Sequence, residues 1–238
     1  MKRLTREEKA MNDDIRYMLE RGWRDVQGID EALSRGEIDE AAWYKAMQDL
    51  IIPKYLAAEN PRAQSGHSGD AAAWERARSL VVEGINRHGS FLDVGCANGH
   101  LMETAQSWAS ERGSRVEPYG LDLSPAMIDL AVRRLPHWHD RFWVANVLDW
   151  EAPRRFDFVH IQKLDYVPLT RRRELVTRLL TRICEPGGRL IIGPFNEIKA
   201  EHTAERIVTE WGYPIVGQAE RQHRHPDIAY RAFWIDAA

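Results

Sequence analysis

From Ser90 onward, short apolar runs alternate with stretches of helical periodicity, which restricts the chain to a sheet of largely parallel strands joined by crossover helices. The runs Phe91 to Val94, Val116 to Asp122, Phe142 to Ala145, Phe156 to Gln162 and Arg189 to Gly193 each read as a strand. Helix starts lie between them: Ser124 with Pro125 at the first helical position, and Thr170 ahead of "RRRELVTRLLTRIC". After a helix near Ala200 to Trp211, "YPIVGQAER" and "DIAYRAFWID" read as two more strands joined by "QHRHP". That link is too short for a crossover helix, so this last pair must be antiparallel.

The first sixty residues read as helices. Thr5 and Glu8 have capping-box spacing, and Met11, Ile15, Met18 and Leu19 share a face, predicting a first helix that runs to about Gly22. A short helix stopped at Gly36 and a longer one from Asp39, bent near Pro53, follow. The Pro, Gly and Ser cluster "ENPRAQSGHSGD" marks a boundary or hinge before a further helix closed by Gly89. This predicts an N-terminal helical cap, 1–69, and an α/β domain, 70–238.

The chain has 238 residues, 44% of them hydrophobic, enough for one sizeable core plus an accessory segment. Its formal net charge of -3 disfavours a nucleic-acid partner. The two cysteines, Cys96 and Cys184, provide neither a disulfide framework nor a zinc ligand set. The charged start "MKRLTREEKAMNDD" lacks a signal-peptide apolar region, and no apolar run approaches a membrane span. The expectation is a cytoplasmic protein without a membrane partner, its oligomeric state open, with a homodimer among the options.

The sharpest chemical signal is "FLDVGCANGHL". A strand ends in an acid, Asp93, and Gly95, Ala97 and Gly99 follow at alternate positions before a helix, with Cys96 as a small packing residue between them. Such a turn lets main-chain amides approach a ligand without intervening side chains. Dinucleotide enzymes place a similar turn there, but Ala97 and His100 leave the pyrophosphate fingerprint incomplete. A helix N-terminus also receives a carboxylate, and Asp93 suits an ammonium beside it.

Asp122 ends the next strand, where a carboxylate accepts both hydroxyls of a ribose. Asn146, in "WVANVLDW", offers an amide to an adenine edge, with Leu123 and Met127 to sandwich the ring. Asn146 and Met127 also have plainer readings, as a turn former and a core residue. "CEPGGRLIIGPF" carries a Gly-Gly turn between a helix and a buried strand.

In this order, Asp70 to Ala238 resembles the class I S-adenosylmethionine-dependent methyltransferases. The resemblance implies a doubly wound seven-stranded sheet, mostly parallel with an antiparallel last strand. It implies that Asp93, Gly95, Ala97 and Gly99 surround the methionine moiety of S-adenosylmethionine and that Asp122 holds the ribose. Asn146 and Val147 would meet the adenine, and Gln162 would end the fourth strand near the methyl group. Ala97 departs from the family's usual middle glycine.

The expected reaction is methyl transfer to an oxygen or nitrogen of a small organic substrate. The alternatives are an RNA or protein methyltransferase, a non-catalytic S-adenosylmethionine-binding protein, or a nicotinamide-dependent oxidoreductase. The catalytic candidates are Asp165 and Tyr166 after the fourth strand, and His67 as a base if its Ser-Gly loop closes as a lid. Asp165 with Asn196 and Glu197 is a weaker oxygen set for Mg²⁺. The pairs His137/His139 and His223/His225 lack a third ligand in sequence, so no metal is expected.

Overall fold

A computed structural model describes residues 24–199 and 201–238. The helix expected to end at Gly22 and the aromatic Trp23 lie outside the described residues. Seven strands form one sheet: β1 (Gly89–Val94), β2 (Val116–Asp122), β3 (Phe142–Val144), β4 (Phe156–Ile161), β5 (Cys184–Ile198), β6 (Gly217–Gln222) and β7 (Ile228–Asp236). Their spatial order is β3-β2-β1-β4-β5-β7-β6. The pairs from β3 across to β5 are parallel, and β7 enters antiparallel between β5 and β6. The class I arrangement expected from the resemblance is therefore present.

The helices are α1 (Arg24–Ser34), α2 (Glu40–Leu56), α3 (Ala71–Arg78), α4 (His100–Glu111), α5 (Pro125–Arg134), α6 (Arg172–Arg178) and α7 (Thr203–Glu210). Neighbouring strand residues feed opposite faces of the sheet. Leu92, Val159 and Leu190 pack with Leu175 and Leu179 on one side, and Phe91, Phe158 and Ile191 pack with Val81 and Ala105 on the other. A sheet buried on both faces requires continuous apolar runs, the pattern these strands have. Each such fully buried side chain contributes roughly 1.5–3 kcal/mol.

Asp39 caps α2 by accepting from the Ala42 amide at 2.8 Å, and Ser124 caps α5 by accepting from Met127 at 3.3 Å. Pro53 lies inside α2. The α1 and α2 pair has its own small core of Val26, Trp43 and Met47. The Trp43 indole there donates to Asp30 at 2.8 Å.

Three local expectations need correction. Gly89 does not close a helix: α3 stops at Arg78, a 3₁₀ segment runs from Ser79 to Gly84, and Gly89 opens β1 opposite Val116. Thr170 does not cap α6, whose N-cap residue Arg171 makes no side-chain cap and instead pairs with Glu40 and Glu174. The "PGG" turn is absorbed into β5, which extends well beyond the apolar run at 189–193. Its backbone bonds the end of the chain, with Gly187 N donating to Ala237 O and Ala237 N to Gly188 O. Among the described residues, no helix is long and apolar enough to cross a membrane.

Candidate active site

The loop after β1 takes its shape from left-handed backbone at three alternate positions, with φ of 80° at Gly95, 49° at Ala97 and 75° at Gly99. Gly95 lies under the ring of Tyr166, which an added Cβ would approach to 3.6 Å. Gly99 serves packing instead, since a Cβ there would meet Leu135 at 2.8 Å.

The amides of this loop are not held open for a ligand, which corrects the sequence expectation. Gly95 N and Cys96 N both donate to Leu121 O, at 2.7 and 3.1 Å. Ala97 N donates to Asp122 Oδ2 at 2.9 Å, and His100 N to Asn98 Oδ1 at 3.1 Å. The turn therefore supplies close approach and locks two carboxylate-bearing strand ends together.

Asp93, Gly95, Cys96, Ala97, Asp122, Leu123, Met127, Asn146, Val147 and Gln162 all line one cavity at the carboxyl ends of β1, β2, β3 and β4. This crevice lies where the strand order reverses, on either side of β1. Gly99 stands behind the loop, outside the lining. Helix α2 roofs the cavity with Tyr44, Met47, Gln48, Ile51 and Tyr55.

The charged groups are tightly organised. Burial pushes the Asp122 carboxyl up to about 6, against hydrogen bonds from the amides of Ser124 and Ala97, and nearby Asp93 pushes the same way. Asp93 is buried and meets His160 Nδ1 at 2.7 Å. Burial raises the Tyr166 hydroxyl well above the ordinary phenol range, so it is a hydrogen-bond donor at neutral pH. Burial also raises the Cys96 thiol, which leaves it unionised, in keeping with a packing role.

His160 and Arg78 are site residues that sequence reasoning missed. Arg78 is 9% exposed, donates to the Pro194 carbonyl at 3.0 Å and lies over the Trp74 ring. The Gln162 amide, with its oxygen turned toward Arg78, accepts from both terminal guanidinium nitrogens at 2.5 and 2.7 Å. Nothing in "WERARS" signals that this arginine is buried, because the burial comes from β5. His160 left a faint signal as a polar residue within an apolar strand.

The three catalytic candidates separate. Tyr166 lines the cavity. His67 lines an adjoining recess and stacks edge-on against Trp74, with ring centroids 5.5 Å apart. Burial, aided by Arg78 and Arg62, lowers its imidazole to about 4. Asp165 lines neither space, and its carboxylate lies 4.0 Å from the Lys163 ammonium.

The segment expected as a hinge is fastened to the glycine loop. The Asn98 side chain donates to Pro61 O at 3.0 Å and to Gln64 Oε1 at 3.1 Å, and accepts from Ser65 at 2.6 Å. Among the described residues no group of three or more His, Cys, Asp or Glu is placed to hold a metal ion. Glu197, one of the three residues of the Mg²⁺ alternative, faces Arg231 and the Thr203 amide instead.

A seven-stranded sheet with β7 reversed, a glycine loop after β1 and a carboxylate ending β2 make up the class I methyltransferase fold. Residues 91–188 match the family model described as "Methyltransferase domain". Residues 91–188 thus carry a methyltransferase domain, and the Asp93 and Asp122 carboxylates in its cavity fit the ammonium and ribose of S-adenosylmethionine.

Solved structures share the fold. The N-methyltransferase NodS from Bradyrhizobium japonicum WM9, in complex with S-adenosyl-L-homocysteine, is 17% identical with a TM-score of 0.59, over 78% of this chain and 96% of that one. The 1,6-didemethyltoxoflavin-N1-methyltransferase from Burkholderia thailandensis, with 1,6-didemethyltoxoflavin and S-adenosylhomocysteine bound, is 15% identical with a TM-score of 0.61, over 84% of this chain and 91% of that one. The glycopeptide N-methyltransferase MtfA is 15% identical with a TM-score of 0.52, over 74% and 98%. A comparison with curated protein sequences found no match.

Proposed function

We propose that this methyltransferase acts on an oxygen or nitrogen of a small organic molecule in the cytoplasm, with residues 1–69 serving as a cap over the site. The observation that carries this reading is the roof: α2 lines the cavity with Tyr44, Ile51 and Tyr55, leaving a concave space suited to a small acceptor. The acceptors in the solved structures of similar fold support it. NodS is an N-methyltransferase, and the Burkholderia enzyme holds a small heterocycle.

S-adenosylmethionine supplies a methyl group already activated on a sulfonium. When it is bound, transfer of that methyl to an acceptor oxygen or nitrogen would release the acceptor's O–H or N–H proton, which a base of the protein would take up. Little covalent chemistry falls to the protein, whose share is alignment and proton acceptance. In this reading Tyr166 positions the acceptor as a donor, His67 takes the proton in its neutral form, and Asp165 orients Lys163. Asp93, Cys96 and Gly95 surround the methionine end, Asp122 holds the ribose, Asn146, Val147, Leu123 and Met127 take the adenine, and Gln162 stands near the methyl group.

The test is transfer of labelled methyl from S-adenosylmethionine into a fractionated cell extract. Label in the low-mass fraction, extractable and chromatographically discrete, is the expected result. Label confined to protein or RNA would overturn the small-molecule reading.

A further inference from the structure

Beyond the cofactor cavity lies a second recess, and five residues, Tyr55, Ser65, Arg78, Gln162 and Tyr166, line both. The loop at Gly66–Gly69, the start of β5's outer half at Phe195 and Asn196, and the turn between β6 and β7 complete it. Its charge is one-sided. Arg78, Lys163 and Arg224 line it, and no aspartate or glutamate does.

The Asp165 carboxylate lies 4.0 Å from the Lys163 ammonium and outside the lining. Arg78 is buried with neutral partners, the Pro194 carbonyl and the Gln162 amide, and makes no ion pair among the described residues. A buried guanidinium without a carboxylate is a costly arrangement unless a negative group arrives to complete it.

The titratable neighbours respond to the same positive field. Burial lowers His67, with Arg78 and Arg62 adding to it and Asp70 opposing. Burial likewise lowers His223, assisted by Arg224 and His225, and lowers Lys163, where Arg78 adds and Asp165 opposes. Both shifts favour the neutral imidazole, which leaves Arg78, Lys163 and Arg224 as the positive groups of the lining. The walls between these charges are flat: Tyr55, Tyr166, Phe195 and Tyr230, the last with the His223 ring 5.0 Å away.

We propose that this recess is the acceptor subsite and that it takes a planar aromatic acceptor bearing a carboxylate. The combined field of Arg78, Lys163 and Arg224 receives the anion, the aromatic walls receive the ring, and the acceptor atom faces the cofactor across the Tyr55, Gln162 and Tyr166 wall. The inference rests on the reading of the first cavity as the cofactor site of a small-molecule methyltransferase. Within that reading it names the substrate class, because a concave low-dielectric surface of one sign selects a ligand of the other.

The experiment is calorimetric titration of the full chain, saturated with S-adenosylhomocysteine, using 4-hydroxybenzoate, 3,4-dihydroxybenzoate and 4-aminobenzoate, each beside its uncharged amide. At least one acid should bind roughly tenfold or more tightly than its amide. That preference should shrink with added salt and fall in Lys163→Gln and Arg224→Gln, while affinity for S-adenosylhomocysteine is unchanged. If no acid exceeds its amide, or the preference survives in both variants, the proposal is wrong.

Its failure is separable from failure of the reading beneath it. Wild type that is folded but does not bind S-adenosylhomocysteine removes the cofactor site itself. Methyl transfer to uncharged phenols or amines, with no preference for acids, keeps the function and removes only the anionic subsite.

Discussion

His160 bridges the Asp93 carboxylate and the backbone of β5, with Nδ1 2.7 Å from Asp93 Oδ1 and Nε2 2.6 Å from the Gly193 carbonyl oxygen. A carbonyl oxygen only accepts, so Nε2 carries a proton, and Nδ1 faces the carboxylate across one further shared proton. The motif acid of β1 is thus positioned by a side chain of β4, which is itself held by β5.

Replacing His160 with Phe would leave Asp93 buried at 3% exposure without that partner. The expected destabilisation is about 3–5 kcal/mol, as for a buried pair broken on one side. Urea unfolding of His160→Phe beside Asp93→Asn/His160→Phe measures it. The double variant should recover part of the loss, because it no longer strands a charge.

Affinity for S-adenosylhomocysteine should fall as pH drops below about 6, where the Asp122 carboxyl of the free protein takes up a proton. Ribose hydroxyls donate to the ionised form, so the apparent Kd should rise by roughly tenfold per pH unit well below that point. For folding the sign is the reverse. The native carboxyl binds its proton more tightly than the unfolded one, so this group favours the native state increasingly as pH falls from about 6 toward 3.8. Titrations between pH 5 and 8 read the first effect; Asp122→Ala should weaken binding at least tenfold at pH 7.5 and abolish its pH dependence.

His67→Gln should retain cofactor affinity and lose methyl transfer to a proton-bearing acceptor, roughly a hundredfold if the imidazole acts as base. Because burial holds this imidazole at about 4, wild-type activity should lose nothing to His67 protonation down to about pH 5. A rate unchanged in His67→Gln would remove it from the mechanism.

Gly120→Ala tests the packing beneath the glycine loop. The added Cβ would come within 2.7 Å of Cys96 Sγ and 2.8 Å of Met102 Sδ. Overpacking of this kind costs roughly 1–3 kcal/mol, read as a lowered unfolding midpoint in urea.

The roof is tied down by an ion pair in which Arg171 reaches both Glu40 carboxylate oxygens at 2.7 Å. The pair is partly exposed, at 29% and 39%, so its contribution to folding is small, about 1 kcal/mol or less. Arg171→Gln should therefore leave the unfolding midpoint nearly unchanged while speeding release of S-adenosylhomocysteine, which stopped-flow displacement measures.

Much of the fold was legible because strand and helix periodicities are local. Phe91 to Val94 and Val116 to Asp122 read as strands from their apolar runs alone, and Ser124 with Pro125 announced α5 by side-chain chemistry acting over three residues. The antiparallel last pair followed from the length of "QHRHP", a geometric limit on what a short link can span. The misreadings at Gly89, Thr170 and "PGG" have a common source: each was decided by a partner distant in the chain, respectively Val116, Glu40 and Ala237.

The sequence by itself determined the order of strands and helices and the ligand-facing ends of β1 and β2, since both follow from local patterns of polarity and backbone freedom. It also singled out Asp93, Asp122 and Asn146, which the structure brings to one cavity. Only the tertiary structure decided that the loop amides are spent inside the protein, that Arg78 is buried between two recesses, and that Asp165 faces Lys163 outside both. The first two outcomes depend on groups brought together from far along the chain, as Ala97 and Asp122 are at a separation of 25 and Arg78 and Pro194 at 116. Coulomb and desolvation energies depend on distance in space, and a local sequence pattern does not contain that distance.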